Sequence, residues 1–414
     1  MEYKKYLNFK YIFTFSSINY LQSGISFIVS IILARELGKE DFGYFSYGLV
    51  FANTISTLMQ FGTERTLVRD LVQFNKPDEV VWSAGWIWLA FGTLITTGCT
   101  VWICFFSDLD YKAALIVASC SLLGFARGMS PAPWFDFKGK ANYQSLILLL
   151  DRILFFVCAI ALIFFIKIEQ AIIYISCAQL VVRVIALCIE WKFVFNTSIF
   201  FLKPHYDTIK KLIKDNVWVW LAGIGNLLMT QANQIILQNK FGAKELANYG
   251  LSIQIITIVR LLQMQLQRLT APSIAEVTAD SNDPSTTAKK LYKFCGLTFF
   301  LSICLVIPAY FIMPWVIENF IGKSYLSALP AMNILFLWSV LYGVAIIINQ
   351  FLIGLHLQRF FFVSTTIFGL MSLLLAEILT DKYKAMGAAI SLLLSHFCSV
   401  IFQLVIVIKK IKSR

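Results

Sequence analysis

Four arginines lie where so apolar a chain should not hold charge. Arg127, Arg152, Arg183 and Arg260 each stand roughly 9 to 14 residues inside a long hydrophobic run, near the middle of a bilayer at about 1.5 Å of helical rise per residue. A central arginine costs about 2.5 to 3.5 kcal/mol on insertion scales, so four facing lipid would cost on the order of 10 kcal/mol, comparable with a whole domain's stability. They are expected to face a wet interior. Guanidinium stays charged and offers a planar fork of donors matched to phosphate oxygens. Two intramembrane acids lie near them, Asp151 beside Arg152 and Glu190. Singly, each arginine could equally partner an acid or a backbone carbonyl. As a set, four against two, they favour a cationic cavity for a phosphate- or pyrophosphate-bearing ligand, with all four as substrate-binding residues.

Later in the chain the polarity changes kind. Asn226, Gln231, Asn233, Gln234 and Gln238 fall in one run, Gln254, Gln263, Gln265 and Gln267 in the next, and Asn349 and Gln350 further on. Amides can bond sugar hydroxyls without charge and can equally join helices. Asn226, Gln231, Asn233 and Gln254 are the candidates for a polar cavity lining. Gly223 and Gly225 beside Asn226, Trp218 and Trp220 suggest a bendable helix. Asp151, Glu64, Arg65 and Glu377 are candidates for coupling or gating. Glu64-Arg65, with Arg69-Asp70 a turn on, could form a salt-bridged latch, although exposed pairs contribute little; Glu377 is a candidate proton or cation site. Pro131 and Pro133 interrupt a run just before Trp134-Phe135-Asp136-Phe137-Lys138-Gly139, which reads either as an interfacial aromatic belt or as a gate.

The elements that position these residues must be membrane helices. Of 414 residues, 58% are hydrophobic and 14% charged, with mean hydropathy +0.74, too apolar for a soluble domain. Spans are expected over 12–33, 45–64, 81–106, 113–136, 143–166, 171–195, 214–238, 246–270, 292–317, 327–350, 360–379 and 385–408. With the N-terminus inside, about 22 of the 35 basic residues fall in cytoplasmic segments and about 9 outside, so both termini are expected in the cytoplasm. The net charge of +12 then reports topology and contact with anionic lipid, not nucleic acid. The nine cysteines lie in or beside apolar runs without metal-ligand spacing, and no metal or cofactor is expected; coupling to a proton or sodium gradient remains open.

An internal repeat orders the spans. Ile32-Leu33-Ala34-Arg35-Glu36-Leu37-Gly38-Lys39-Glu40-Asp41-Phe42 follows the first, and Ile236-Leu237-Gln238-Asn239-Lys240-Phe241-Gly242-Ala243-Lys244-Glu245-Leu246 follows the seventh. Each glycine is expected to end its helix in a left-handed cap. Two parallel six-span halves follow: an N-terminal bundle over 1–196, a cytoplasmic linker over 197–213 and a C-terminal bundle over 214–414. Halves facing across a cavity would transport by rocking.

The run Leu33-Ala34-Arg35-Glu36-Leu37-Gly38-Lys39-Glu40-Asp41-Phe42-Gly43-Tyr44-Phe45-Ser46 resembles the segment after the first span of Wzx-type O-antigen flippases and related polysaccharide exporters. Phe61-Gly62 with Arg69, and Pro133-Trp134-Phe135 before Lys138-Gly139, are similar to that family as well. The resemblance implies the fold of the multidrug/oligosaccharidyl-lipid/polysaccharide superfamily, a MATE-like all-α membrane protein of two pseudo-symmetric bundles. It further implies export of an undecaprenyl-pyrophosphate-linked oligosaccharide across a bacterial inner membrane for lipopolysaccharide or surface polysaccharide, alongside other polysaccharide assembly proteins. Where that family usually carries Trp-Phe/Tyr-Phe-Gln-Gly, this chain has Trp134-Phe135-Asp136-Phe137-Lys138-Gly139, without the amide. A multidrug or organic-cation antiporter of the same fold would want an acidic cavity. A polysaccharide polymerase or ligase would need an external site, which the short external loops do not provide.

Overall fold

The computed structural model describes residues 9–73, 77–107, 109–197, 204–279 and 284–413, and every regular element among them is helical. Among the described residues, eight helices are long and apolar enough to cross a membrane, of which Thr14–Met59 and Gln358–Lys412 run 46 and 55 residues, more than double the roughly 20 a span needs. Each of these two is broken once: α1 (Phe9–Met59) at Gly38 and α12 (Gln358–Lys412) at Lys384. The eight therefore supply ten segments. α8 (Tyr206–Thr230), continued by the start of α9 (Ala232–Ala279), and the rest of α9 beyond its break at Gly242 supply two more. The twelve segments form two series of six, the all-α membrane architecture expected from the sequence.

The first series is 9–37 and 39–59 of α1, then α3 (Pro77–Phe106), α4 (Tyr111–Gly128), α6 (Ala141–Phe165) and α7 (Ile168–Thr197). The second is α8 with 232–241, then 243–279, α10 (Pro284–Val316), α11 (Leu329–Gly354), 358–383 and 385–412. Two short helices, α2 (Thr63–Gln73) and α5 (Ala132–Phe137), lie between spans of the first series. The chain divides into two compact units, Met1–Val29 with Glu36–Trp220, and Ser30–Arg35 with Leu221–Arg414, so the division falls inside α8. Of the basic loop between the series, residues 198–203 lie outside the described residues.

The repeat is visible in the backbone. Gly38 has φ 77° and ψ 171°, and Gly242 has φ 74° and ψ −175°. The expected left-handed cap is not what forms, because that conformation needs ψ near +47°. Both glycines instead combine positive φ with an extended ψ, a region nearly reserved to glycine. The next helix then follows without a loop.

In the N-terminal unit, α4 lies against α1 along Cys120, Gly124 and Gly128, a small residue each turn. A Cβ on Gly124 would stand 2.5 Å from the Ala52 carbonyl oxygen, and one on Gly128 2.2 Å from Met59 Sδ. A second core gathers Leu67 and Leu71 of α2, Val80 and Trp88 of α3, and Trp134 and Phe135 of α5. The span expected over 113–136 thus ends at Gly128, and Pro131 and Pro133 start a separate helix whose aromatic rings are core side chains. Glu64 likewise stands on α2 and not at the end of a span, because Phe61 and Gly62, both with positive φ, break the chain before it.

In the C-terminal unit, Gln263 of α9 donates to Ser302 Oγ of α10 at 2.8 Å and to the Ser339 carbonyl of α11 at 2.7 Å. α8 does not bend at Gly225. It continues to Thr230, and Gly225 is where α8 and α12 meet, since a Cβ on Gly369 would stand 2.6 Å from the Gly225 carbonyl oxygen. Large side chains such as Phe105, Phe164, Phe165 and Phe311 are left exposed along the spans, as a lipid-facing surface requires.

Candidate functional site

Three of the four arginines gather in the N-terminal unit, where the close contact of α4 with α1 sets the position of the first. Arg127, in the last turn of α4, donates from Nη1 to Asn53 Oδ1 of α1 at 3.5 Å, a long bond to a neutral amide. Arg152 on α6 pairs with its neighbour Asp151, Nε to Oδ2 at 3.7 Å; the arginine is half-buried and the acid buried. Arg183 and Glu190, seven residues apart on α7, form a two-pronged pair with both N···O distances 3.3 Å. The pair is buried on both sides, with Glu190 0% exposed.

Glu190 is also a junction. Ser130 Oγ, between α4 and α5, donates to it at 2.7 Å, and Gln144 Nε2 of α6 donates to Ser130 Oγ at 3.4 Å. Arg183 therefore takes the structural alternative, an acid partner inside a hydrogen-bonded network. Arg152, Arg183 and Asp151 are near enough to act on Arg127 electrostatically. Three guanidiniums against the two acids Asp151 and Glu190 leave one positive charge over, and it falls on Arg127, whose side-chain partner is an amide.

The fourth arginine is in the other unit and in different company. The Arg260 guanidinium carbon lies 4.0 Å from the Tyr342 ring centroid and 5.1 Å from that of Trp338. His396 of α12 adjoins the same two rings, 5.9 Å from each. Trp338 and Tyr342 are one turn apart on α11, and that spacing is the signal in the sequence that could have led to this group.

Among the described residues, the hydrogen bonds of the four amides named as a polar lining run to other groups and not to one another. Asn233 is buried and donates to Ser372 Oγ and the Ala388 carbonyl, joining α9 to both segments of α12. Gln231 accepts from Gln234 at 3.0 Å where α8 passes into α9. Gln254 Oε1 is buried without a hydrogen-bond partner among the described residues, and Asn226 is half-buried on α8. Gln350 bonds the Gln267 carbonyl and so joins α11 to α9. Of the gating candidates, Asp151 is paired as above, Glu64 is exposed, and the Arg65 side chain lies outside those described. Glu377 lies 2.7 Å from Lys240 Nζ, which also reaches Asp381 at 3.0 Å. That acid is thus one arm of an ion-pair cluster at the Gly242 break.

Residues 9–277 match the family described as polysaccharide biosynthesis protein, about two-thirds of the chain. No curated protein matches. Among solved structures, the chain is similar to an inward-facing multidrug resistance MATE family transporter of the MOP superfamily, at TM-score 0.75 and 14% identity over 95% of each chain. It is similar to the lipid II flippase MurJ in an inward closed conformation, at TM-score 0.69 and 16% identity, over 96% of this chain and 88% of that one. A MOP superfamily transporter from Pyrococcus furiosus, described as having a binding pocket of reverse polarity, gives TM-score 0.66 and 14% identity over 97% and 95%. With the matched region covering well over half of the sequence, the chain belongs to the polysaccharide biosynthesis protein family and is a multi-pass membrane protein with the fold of MOP-superfamily transporters.

Proposed function

We propose that the chain is a flippase that carries undecaprenyl-pyrophosphate-linked oligosaccharide repeat units from the cytoplasmic to the periplasmic leaflet by alternating access, for O-antigen or another surface polysaccharide. The observation that carries this reading is Arg127, a guanidinium set among two further arginines and left over after the acids are paired. A pyrophosphate brings the charge and the acceptor oxygens that such a group lacks. The family match adds polysaccharide assembly, and the MurJ-like fold adds a precedent in a protein described as a lipid II flippase. An organic-cation antiporter is the competing reading on the same fold. It would bind its substrate at unpaired carboxylates, whereas Asp151, Glu190 and Glu377 each have a basic partner.

In this reading the protein lies in the bacterial cytoplasmic membrane with both termini inside. Lys210, Lys211 and Lys214 contact anionic lipid, and a proton or sodium gradient drives the cycle. Other polysaccharide assembly proteins receive the product. Deleting the gene should make lipid-linked repeat units accumulate in the inner leaflet and abolish surface polysaccharide. Wild-type protein should restore it, and Arg127→Ala should not. Normal surface polysaccharide in the deletion strain would overturn the assignment.

A further inference from the structure

The C-terminal unit holds a group of nitrogens around Arg260 that the function proposed above, which rests on Arg127, does not use. Around the Trp338 and Tyr342 rings stand the Arg260 guanidinium on α9 and the His396 imidazole on α12. Trp338 is 1% exposed and His396 7%. Arg260 Nε, Trp338 Nε1 and both imidazole nitrogens are buried without a hydrogen-bond partner among the described residues. Leaving one buried donor unpaired costs about 1 to 3 kcal/mol, so four such atoms against one pair of rings call for a ligand.

The chemistry of the four atoms says which kind. Arg260 Nε and Trp338 Nε1 can only donate, and neutral imidazole adds one donor and one acceptor. Donors exceed acceptors by three to one. A group that mainly accepts is needed, and an oxyanion accepts without donating. Arg260 is the charged group acting on His396 among the described residues, and Tyr342 on α11 is the titratable group beside it. No carboxylate acts on the imidazole in this set, so a proton there would place a second cation near Arg260. An arriving anion removes that conflict, because it is attracted to both cations at once. Proton and anion must then favour one another reciprocally.

We propose that Arg260, Trp338 and His396 form an oxyanion site, for a phosphate or similar group, whose filling takes up a proton at His396. The site needs neither the substrate nor the direction of transport proposed above, and its test reads no transport.

The chain has three histidines, so His205→Gln with His356→Gln leaves His396 alone to report. Full-length protein in nanodiscs of neutral lipid, carrying ¹⁵N-histidine, is titrated with pH with and without inorganic pyrophosphate. Pyrophosphate should raise the His396 midpoint by about one pH unit, equivalent to roughly tenfold tighter binding to the protonated form. Trp338→Phe, which keeps an aromatic ring and removes one N–H, should weaken pyrophosphate binding, and Arg260→Gln should abolish the shift. A shift caused by anionic lipid alone would support the site and name a headgroup as its source. An unchanged midpoint, or an equal shift with chloride at matched ionic strength, would overturn the proposal.

Discussion

Arg127 and Arg183 are both guanidiniums within the N-terminal helix bundle, but their partners give them opposite responses to removal. Arg183→Ala strands Glu190, which is 0% exposed, and breaking a buried pair on one side costs about 3 to 5 kcal/mol. The variant should melt markedly lower in detergent. Removing Glu190 as well should recover part of that loss, because no buried charge then lacks a partner; equal melting of single and double variants would show that the pair is uncoupled. Arg127→Ala gives up one long bond to Asn53. It should leave the melting temperature near wild type while transport falls at least about tenfold, the effect of removing a contact of about 1.4 kcal/mol made to substrate. The sequence located both arginines because apolar runs leave charge conspicuous. It did not separate them, since the pairing of Arg183 with Glu190 depends on two helical turns of α7 placing both on one face beside Ser130.

At the level of elements, two of the three broken helices, α1 and α9, turn at glycines of the same backbone conformation. A Cβ on Gly38 or Gly242 would meet nothing within 4 Å, so any cost of alanine there is torsional and not steric. Gly38→Ala and Gly242→Ala should each destabilise by about 1 to 3 kcal/mol. Gly24→Ala, also without neighbours but in regular helix, should be neutral or mildly stabilising, and equal melting of all three would deny the torsional account. Gly124→Ala is the steric counterpart: its methyl meets the Ala52 backbone, so α4 must move away from α1 and carry Arg127 off Asn53. Loss of both melting temperature and transport is expected. The spans themselves were legible, because the bilayer imposes a length and an apolarity that few other settings require. The break at Lys384, for instance, falls between the expected spans 360–379 and 385–408. The end of the fourth span was not legible. Trp134 and Phe135 have the composition of an interfacial belt, and only packing of α5 against α2 and α6 makes them core. The amides are ambiguous for a related reason: a side chain able to bond a sugar can equally bond a helix, and Asn233 and Gln263 do bond neighbouring helices.

For the molecule as a whole, the two six-segment series share a glycine break in the same backbone conformation and differ in polarity. The first concentrates arginine and acid around α4, α6 and α7, and the second carries amides and an aromatic-stacked arginine. If both ends are cytoplasmic, a fluorescent protein fused after Arg414 should mature, whereas an alkaline phosphatase fused there should stay inactive; the converse pair of results would invert the topology. The most direct measurement of the central claim uses purified protein in liposomes. An undecaprenyl-pyrophosphate-linked oligosaccharide is supplied in both leaflets, and its accessibility to an impermeant glycan-cleaving enzyme added outside is followed. Wild-type protein should make the protected half accessible, and Arg127→Ala should do so at least about tenfold more slowly. If the inner half stays protected with wild-type protein under imposed proton and sodium gradients of either direction, the chain does not move this substrate.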